Sequence, residues 1–222
     1  MTLITAVQCT SGILLTADKE ENTPYGGKRA VSKLFTTSQQ GVWTLVVGTA
    51  GSASVGDVAV KRIRNAALDD SNFVANHEHT ISNVLSDVYK KHVPDPNDPD
   101  RAIQLIVAVN DETTFNQFLY KTDREILQPE VKYTCTGVGQ EFAYYFLDRL
   151  WDIFLSPEEL VKMMAFVMRE ANASVGSVGL GSEFRFLQKL GTPPIVSVPV
   201  DELNALPHLK DVLTKFWKDK QS

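Results

Sequence analysis

The 222-residue chain has few cysteines, no long apolar run and no block of basic residues. Its two cysteines, Cys9 and Cys135, are too few for a disulfide framework. No apolar run approaches the roughly 18 residues that a membrane-spanning helix needs. The formal net charge of −5 argues against a nucleic-acid or anionic-membrane partner. The N-terminus lacks a charged segment followed by a long apolar core, so we expect no signal peptide and a cytoplasmic location.

What the sequence does contain is apolar periodicity that alternates between strand and helix along the chain. The predicted strands cover residues 2–9, 13–18, 31–37, 42–49, 102–109, 114–121, 131–135, 183–189 and 194–199. The predicted helices cover residues 51–68, 76–92, 139–152, 157–173 and 208–219. Residues 22–29 are rich in Pro and Gly and predict a loop. Strands grouped in this way indicate an α+β fold, in which helix pairs cover the faces of antiparallel sheets.

One predicted helix, 157–173, has a complete start signal. Ser156 can cap the helix, Pro157 suits the first helical position, and Glu159 can reach back to the cap.

The two cysteines indicate structure rather than chemistry. Cys9 and Cys135 lie in strand patterns and are expected to be small buried residues.

Three histidines raise the question of a metal site. His77 and His79 lie two residues apart, and His92 follows near the end of the same predicted helix. A zinc site needs three or four convergent ligands, which this spacing does not provide. We therefore expect the histidines to lie on an exposed helix start, and we expect no metal and no cofactor.

The first candidate for chemistry is Thr2, directly after the initiator methionine. Removal of Met1 would place the Thr2 hydroxyl beside its own α-amine, whose reference pKa is about 7.7–8.0. An amine of that pKa is a general base close to neutrality, next to an otherwise weak nucleophile. Thr2 is therefore a candidate nucleophile that carries its own base, although threonine at this position is common in proteins without such a role.

The second candidate is a pair of opposite charges, Asp18 and Lys33. Asp18 ends the second predicted strand, and Lys33 lies in the third, where Val31, Lys33 and Phe35 are predicted to share one face. A lysine that points into an apolar face needs a partner, and Asp18 is a plausible one. A lysine charge near the terminal amine would lower the pKa of that amine and so favour the nucleophile. Taken alone, the two residues are equally compatible with a structural ion pair or with two solvated side chains.

The third candidate is the turn between the strand at 42–49 and the following helix, with the sequence GTAGSA. Free backbone N–H groups at a helix start favour negative charge. Gly51 in this turn allows a substrate backbone to approach closely and can donate a hydrogen bond to an oxyanion.

In this order, the segments resemble the β-type subunits of the proteasome and the bacterial proteasome-like peptidases of the same N-terminal nucleophile superfamily. The matching segments are TLITAVQCTSGILLTAD, VSKLF, VVGTAGSASV and, ahead of a predicted helix, TGVG at 136–139. Thr2 and Asp18 are sixteen residues apart, as in that family. The resemblance covers roughly residues 2–190, and the first fifty residues carry most of its specificity.

The resemblance implies a four-layer αββα sandwich, with two antiparallel sheets between helix layers. This domain would span residues 1–200, followed by a C-terminal helical extension at 201–222. It also implies a threonine-type endopeptidase that cleaves peptide bonds through an acyl-enzyme on Thr2. The implied catalytic residues are Thr2, Asp18, Lys33, Gly51 and Ser177, and the implied substrate-binding residues are Val31, Thr49 and Ala53.

The resemblance further implies partners. Family members assemble into rings whose active sites face an inner chamber, so we expect a homo-oligomer that takes peptide or unfolded-protein substrates. An ATP-dependent unfoldase is a candidate partner. Neither a nucleic acid nor a membrane is expected.

Two positions depart from the family pattern. Val138 stands where the family has a serine near the terminal amine, and Ser174 stands where it has an acid. Glu170 and Asn172 lie close to that second position. These departures keep two alternatives open, a non-catalytic ring or scaffold subunit of the same fold, and an amidase or ligase whose acyl-enzyme passes to another acceptor.

Overall fold

The chain forms groups of antiparallel strands separated by pairs of helices. The computed structural model describes residues 2–22, 27–93, 95, 98, 101–175 and 181–189. The strands are β1 (Leu3–Cys9), β2 (Gly12–Asp18), β3 (Glu20–Asn22), β4 (Lys28–Ala30), β5 (Leu34–Gln39), β6 (Trp43–Gly51), β7 (Ile103–Asp111), β8 (Gln117–Asp123), β9 (Ile126–Glu130), β10 (Tyr133–Gly137) and β11 (Ser182–Gln188). The helices are α1 (Ala53–Asp69), α2 (Phe73–His92), α3 (Gln140–Leu150) and α4 (Pro157–Ser174).

Two large sheets form the centre of the molecule. One has the strand order β10-β1-β2-β11 and the other the order β5-β6-β7-β8-β9, while β3 and β4 form a separate two-stranded ribbon. All of these pairings are antiparallel. The first two strands form the predicted hairpin, in which Cys9 pairs with Gly12.

Three apolar clusters separate four layers. Side chains from both sheets, including Ile4, Leu34 and Ile106, form the cluster between them. A second cluster joins the five-stranded sheet to α1 and α2, and a third joins the four-stranded sheet to α3 and α4. Because β1 and β2 lie between two such clusters, they are buried on both faces and have nearly continuous apolar sequences. The predicted α+β fold and its four αββα layers are confirmed.

The start of α4 follows the predicted capping pattern. The backbone N–H of Glu159 donates to the Ser156 hydroxyl at 3.3 Å, and the backbone N–H of Ser156 donates to the Glu159 carboxylate at 2.9 Å. Pro157 occupies the first helical position, where its missing N–H costs nothing. Cys9 and Cys135 are both buried and unpaired, as expected.

Several predicted elements are wrong in position. The strand predicted at 31–37 begins at Leu34, so Lys33 precedes it and does not share a strand face with Val31 and Phe35. The backbone N–H of Lys33 donates instead to a side chain, the Glu183 carboxylate. The loop predicted at 22–29 overlaps β4 and the end of β3, and an ion pair between Arg29 and Glu21 supports the pairing of these two strands.

Two further corrections concern β9 and His77. Strand β9 was not predicted, because Pro129 argues against a central strand and Arg124 makes the preceding turn with a positive φ of 56°. It lies at a sheet edge, where proline is tolerated. His77 is buried rather than exposed, since its Nε2 lies 2.8 Å from the Tyr120 hydroxyl and its ring packs on Phe118.

Some predictions concern residues outside the described ranges. These are the strand at 194–199, the helix at 208–219, the boundary between 200 and 201, and Ser177. Among the described residues, no helix is long and apolar enough to cross a membrane.

Candidate active site

Four of the predicted catalytic residues lie at one end of the two-sheet sandwich. Thr2 precedes β1 and Asp18 ends β2, and these strands pair antiparallel with Ile4 opposite Ala17. In the other sheet, Lys33 precedes β5 and Gly51 ends β6, with Leu34 opposite Gly48. An ion pair between Asp18 and Lys33 joins the two sheets at this end.

The side chain of Thr2 is directed between the sheets. It lies two residues before Ile4, whose side chain is in the cluster between the sheets, so alternation along β1 puts both on the same face. Thr2 is 9% exposed. A side chain at Gly137, whose φ is +90°, would overlap the Thr2 carbonyl oxygen and approach Ala50 of the other sheet to 3.4 Å. A glycine at 137 thus allows both sheets to close around Thr2.

Asp18 accepts three hydrogen bonds. Its Oδ1 accepts from the backbone N–H of Leu3 at 2.6 Å, directly after Thr2. Its Oδ2 accepts from Lys33 Nζ at 2.9 Å and from the backbone N–H of Glu20 at 3.0 Å. Burial raises the pKa of Asp18, and the Lys33 charge and the two N–H donors oppose that rise. The Asp18 carboxylate therefore connects the start of β1 to the lysine.

Lys33 is held by both its side chain and its backbone. The ammonium group also donates to the backbone oxygen of Glu20 at 2.5 Å. Its own backbone oxygen accepts from the N–H of Thr49 at 3.2 Å. Lys33 is almost completely buried, so these protein groups, rather than water, are the hydrogen-bond partners that hold its side chain in place.

Glu183, at the start of β11, is a site residue that the sequence did not predict. It is 5% exposed, and one carboxylate oxygen accepts from the backbone N–H groups of Lys33 and of Leu34, the latter at 3.0 Å. The other oxygen accepts from the Ser32 hydroxyl at 2.7 Å. The alternation of Glu183, Arg185 and Leu187 could have indicated a buried acid, because it places Glu183 on the same strand face as a core leucine.

Gly51 presents its backbone N–H at the edge of β6 beside Lys33. Its φ is +97°, and a side chain here would overlap the carbonyl oxygen of Ala102. That oxygen accepts from the N–H of Ser52 at 3.0 Å, so the ladder alternation turns the Gly51 N–H away from β7. The Thr49 N–H points the same way and meets Lys33. An N–H at this edge is suited to stabilise an oxyanion.

The predicted substrate-binding residues surround the same edge. Val31 and Thr49 are half-buried, and Ala53 is exposed at the start of α1. A side chain at Gly56 would overlap the Thr49 hydroxyl, so α1 packs closely against that threonine. Together these residues leave a partly open surface next to Gly51.

Val138 lies on the β10 side of Thr2. Leu3 pairs with Gly137, and the same register continued by one residue puts Val138 opposite Thr2. Val138 is 39% exposed and offers no hydrogen bond from its side chain. Within the described ranges, no group of three His, Cys, Asp or Glu side chains could hold a metal ion.

The chain is similar to known proteins in both sequence and fold. The family model for proteasome subunits matches residues 2–181. No curated protein matches the chain. Among solved structures, Anbu (ancestral beta-subunit) from Yersinia bercovieri has a TM-score of 0.81 at 15% identity and covers 97% of this chain and 96% of its own.

Two further Anbu structures have the same fold. The helical assembly of the Anbu complex from Pseudomonas aeruginosa has a TM-score of 0.79 at 15% identity, with 98% of this chain and 96% of that chain covered. An Anbu (Gly-1) mutant from Hyphomicrobium sp. strain MC1 has a TM-score of 0.78 at 14% identity, with both chains covered completely. Identities this low bear on the fold alone, whereas the family match spans most of the sequence. The chain therefore belongs to the proteasome subunit family.

Proposed function

We propose that this protein is a threonine peptidase of the proteasome β type, with Thr2 as its nucleophile once Met1 is removed. The observation that carries the proposal is the buried Asp18 carboxylate, which joins Lys33 to the backbone N–H that follows Thr2. This arrangement fixes a positive charge close to the position of the future N-terminus. Such a charge favours the neutral amine and the nucleophilic oxygen.

In the first step the Thr2 Oγ attacks the carbonyl carbon of a peptide bond. The α-amine of Thr2 takes the hydroxyl proton and acts as the general base. The carbonyl oxygen becomes an oxyanion and accepts a hydrogen bond from the Gly51 N–H, which already points to this edge. Val31, Thr49 and Ala53 contact the acyl part of the substrate beside it.

In the second step the tetrahedral intermediate breaks its C–N bond. The Thr2 ammonium returns its proton to the leaving amine, and an ester remains on Thr2 Oγ. Water, deprotonated by the Thr2 amine, then attacks the ester carbonyl. The bond between the acyl carbon and Thr2 Oγ breaks, Oγ takes the proton back from the Thr2 ammonium, and the acid product leaves. Lys33 supplies a positive field beside the Thr2 amine, and Asp18 holds it in place. Ser177 belongs to the catalytic group in this proposal.

The family supports further proposals about context. We expect a homo-oligomer, in stacked rings or a related assembly, that takes peptide or unfolded-protein substrates in the cytoplasm. An ATP-dependent unfoldase is the candidate partner. The Anbu complex from Pseudomonas aeruginosa forms a helical assembly, which is one such related form.

The test of the activity is hydrolysis of a fluorogenic peptide by the processed protein and two variants. Thr2→Ala removes the hydroxyl and keeps the amine, so we expect hydrolysis to fall to background. Thr2→Ser keeps both groups, so it is expected to retain activity. Full hydrolysis by Thr2→Ala would contradict the proposal. No hydrolysis of peptides by the unmodified protein would favour the scaffold alternative or a different acyl acceptor.

A further inference from the structure

Gln104 is a long polar side chain at the open end of the site, which we call the mouth, on the side of Thr2 that faces away from Lys33. Gln104 is on β7, paired with Ala50 of β6. It alternates with Ile106, whose side chain lies in the cluster between the sheets, so Gln104 projects from the five-stranded sheet toward the four-stranded sheet. Unlike Ala50 and Ile106, which are buried, Gln104 is exposed.

The Gln104 carboxamide is tied to the opposite sheet. The Thr136 hydroxyl donates a hydrogen bond to Gln104 Oε1. Thr136 is completely buried on β10 and pairs with Ile4 of β1. With Oε1 engaged by Thr136, the Nε2 donors are directed to the other side of the carboxamide. Gln104 Nε2 makes no hydrogen bond to any described residue, so it can donate to a ligand at this end of the site.

Gln104 is within reach of a substrate attached to Thr2. Thr2 lies two residues before Ile4, so it is the diagonal neighbour of Thr136 on the same sheet face. Diagonal neighbours in an antiparallel pair have Cα atoms about 7–8 Å apart, which long side chains can span. The Gln104 tip, held at Thr136, therefore lies beside the reacting position.

In the proposed mechanism, the leaving group of the substrate lies on the Gln104 side of the site. The Gly51 N–H, Val31 and Thr49 lie on the Lys33 side, where the oxyanion and the acyl part of the substrate bind in the proposed mechanism. A peptide chain that continues past the scissile bond runs in the opposite direction. That direction leads toward β7 and β10, where Gln104 lies.

We propose that Gln104 is a substrate-binding residue that donates a hydrogen bond from Nε2 to a backbone carbonyl on the leaving-group side of the scissile bond. It thereby favours peptides that extend beyond that bond. The inference rests on the proposed function, because it presumes an acyl transfer at Thr2. It adds the recognition of the leaving segment, which the Thr2 chemistry does not require.

The test compares two substrates that share one acyl peptide. One ends in an aminocoumarin leaving group, and the other continues as a quenched peptide for three residues. Gln104→Leu keeps the side-chain size and loses the donor, so kcat/KM for the extended peptide is expected to fall about fivefold, the effect of one hydrogen bond. The aminocoumarin substrate and the rate at which a peptide epoxyketone labels Thr2 are expected to stay within twofold.

Three further variants sharpen the comparison. Gln104→Glu keeps an acceptor for Thr136 but loses the donor, so it is expected to show the same selective loss. Gln128→Leu replaces an exposed glutamine on β9 and serves as the matched control with no selective loss. Thr136→Val removes the hydroxyl that holds the Gln104 carboxamide in place. We therefore expect kcat/KM for the extended peptide to fall in this variant as well.

The outcomes separate the two proposals. Equal loss on both substrates, or no loss on the extended peptide, would overturn the role of Gln104 while leaving Thr2 chemistry intact. Absence of any epoxyketone adduct on the unmodified protein would overturn the proposed function, and the role of Gln104 with it.

Discussion

At the residue scale, Asp18 links Lys33 to the start of β1 and the start of β3. It receives the Leu3 N–H, the Glu20 N–H and the Lys33 ammonium, all within 3.0 Å. The sequence predicted that a buried lysine at 33 would need Asp18 as a partner, and this ion pair is confirmed. The catalytic role of the pair stays a prediction.

Removing Lys33 is expected to cost both activity and stability. In Lys33→Met the Asp18 carboxylate remains buried without its counter-ion, so the free energy of unfolding should fall by about 3–5 kcal/mol. Urea unfolding at neutral pH measures this loss, and peptide hydrolysis should disappear with it. The control is Lys91→Met, which removes an exposed ion pair with Asp87 and should cost no more than about 1 kcal/mol.

The loss in Lys33→Met should also depend on pH. Burial raises the pKa of Asp18, and Lys33 opposes that rise, so the variant raises this pKa further. The deficit is then complete above the folded pKa and shrinks as the pH falls toward the unfolded value of about 3.9, because protonation removes the buried charge. An equal or larger deficit at pH 5 than at pH 7.5 would contradict this account.

Glu183 shows where residue-level prediction fails. Its carboxylate accepts from the backbone of Lys33, which is 150 positions earlier in the chain. The sequence around either residue does not indicate this contact, because the contact forms only when β11 packs near β5. Thr2, Asp18, Lys33 and Gly51 were easier to find, since the order of their segments resembles a family whose specificity lies in the first fifty residues.

At the element scale, the start of α4 offers a local test. Ser156→Ala removes the acceptor for the Glu159 N–H, so the free energy of unfolding is expected to fall by about 1 kcal/mol. The effect should appear in global urea unfolding, because α4 packs into the cluster under the four-stranded sheet. Ser71→Ala, in the exposed turn between α1 and α2, is the matched control with little effect. Equal losses in the two variants would argue against the cap.

Elements with strong periodicity or complete end signals were predictable, and short ones were not. The hairpin of β1 and β2, helix α4 and strand β7 lie close to their predicted positions. The ribbon of β3 and β4 was missed because its pairing depends on side-chain contacts such as that of Arg29 with Glu21. Strand β9 was missed because its sequence contains Pro129, which the edge of the sheet accommodates.

At the scale of the whole molecule, the stacking of the two sheets creates the site. The antiparallel order brings the starts of β1 and β5 and the ends of β2 and β6 to one end of the sandwich. The grouping of strands and helices predicted an α+β fold, and the resemblance supplied the four layers. Composition and periodicity alone could not give the strand order, because that order depends on contacts between segments far apart in the chain.

The proposed activity depends most directly on Thr2 becoming an N-terminal nucleophile. The decisive measurement is an intact mass spectrum of the protein with and without a peptide epoxyketone, a reagent that captures an N-terminal threonine through both amine and hydroxyl. We predict loss of Met1 and one adduct per chain, absent from Thr2→Ala. A chain that retains Met1 and forms no adduct would contradict the account, and Asp18, Lys33 and Gly51 would then be structural features of a non-catalytic subunit.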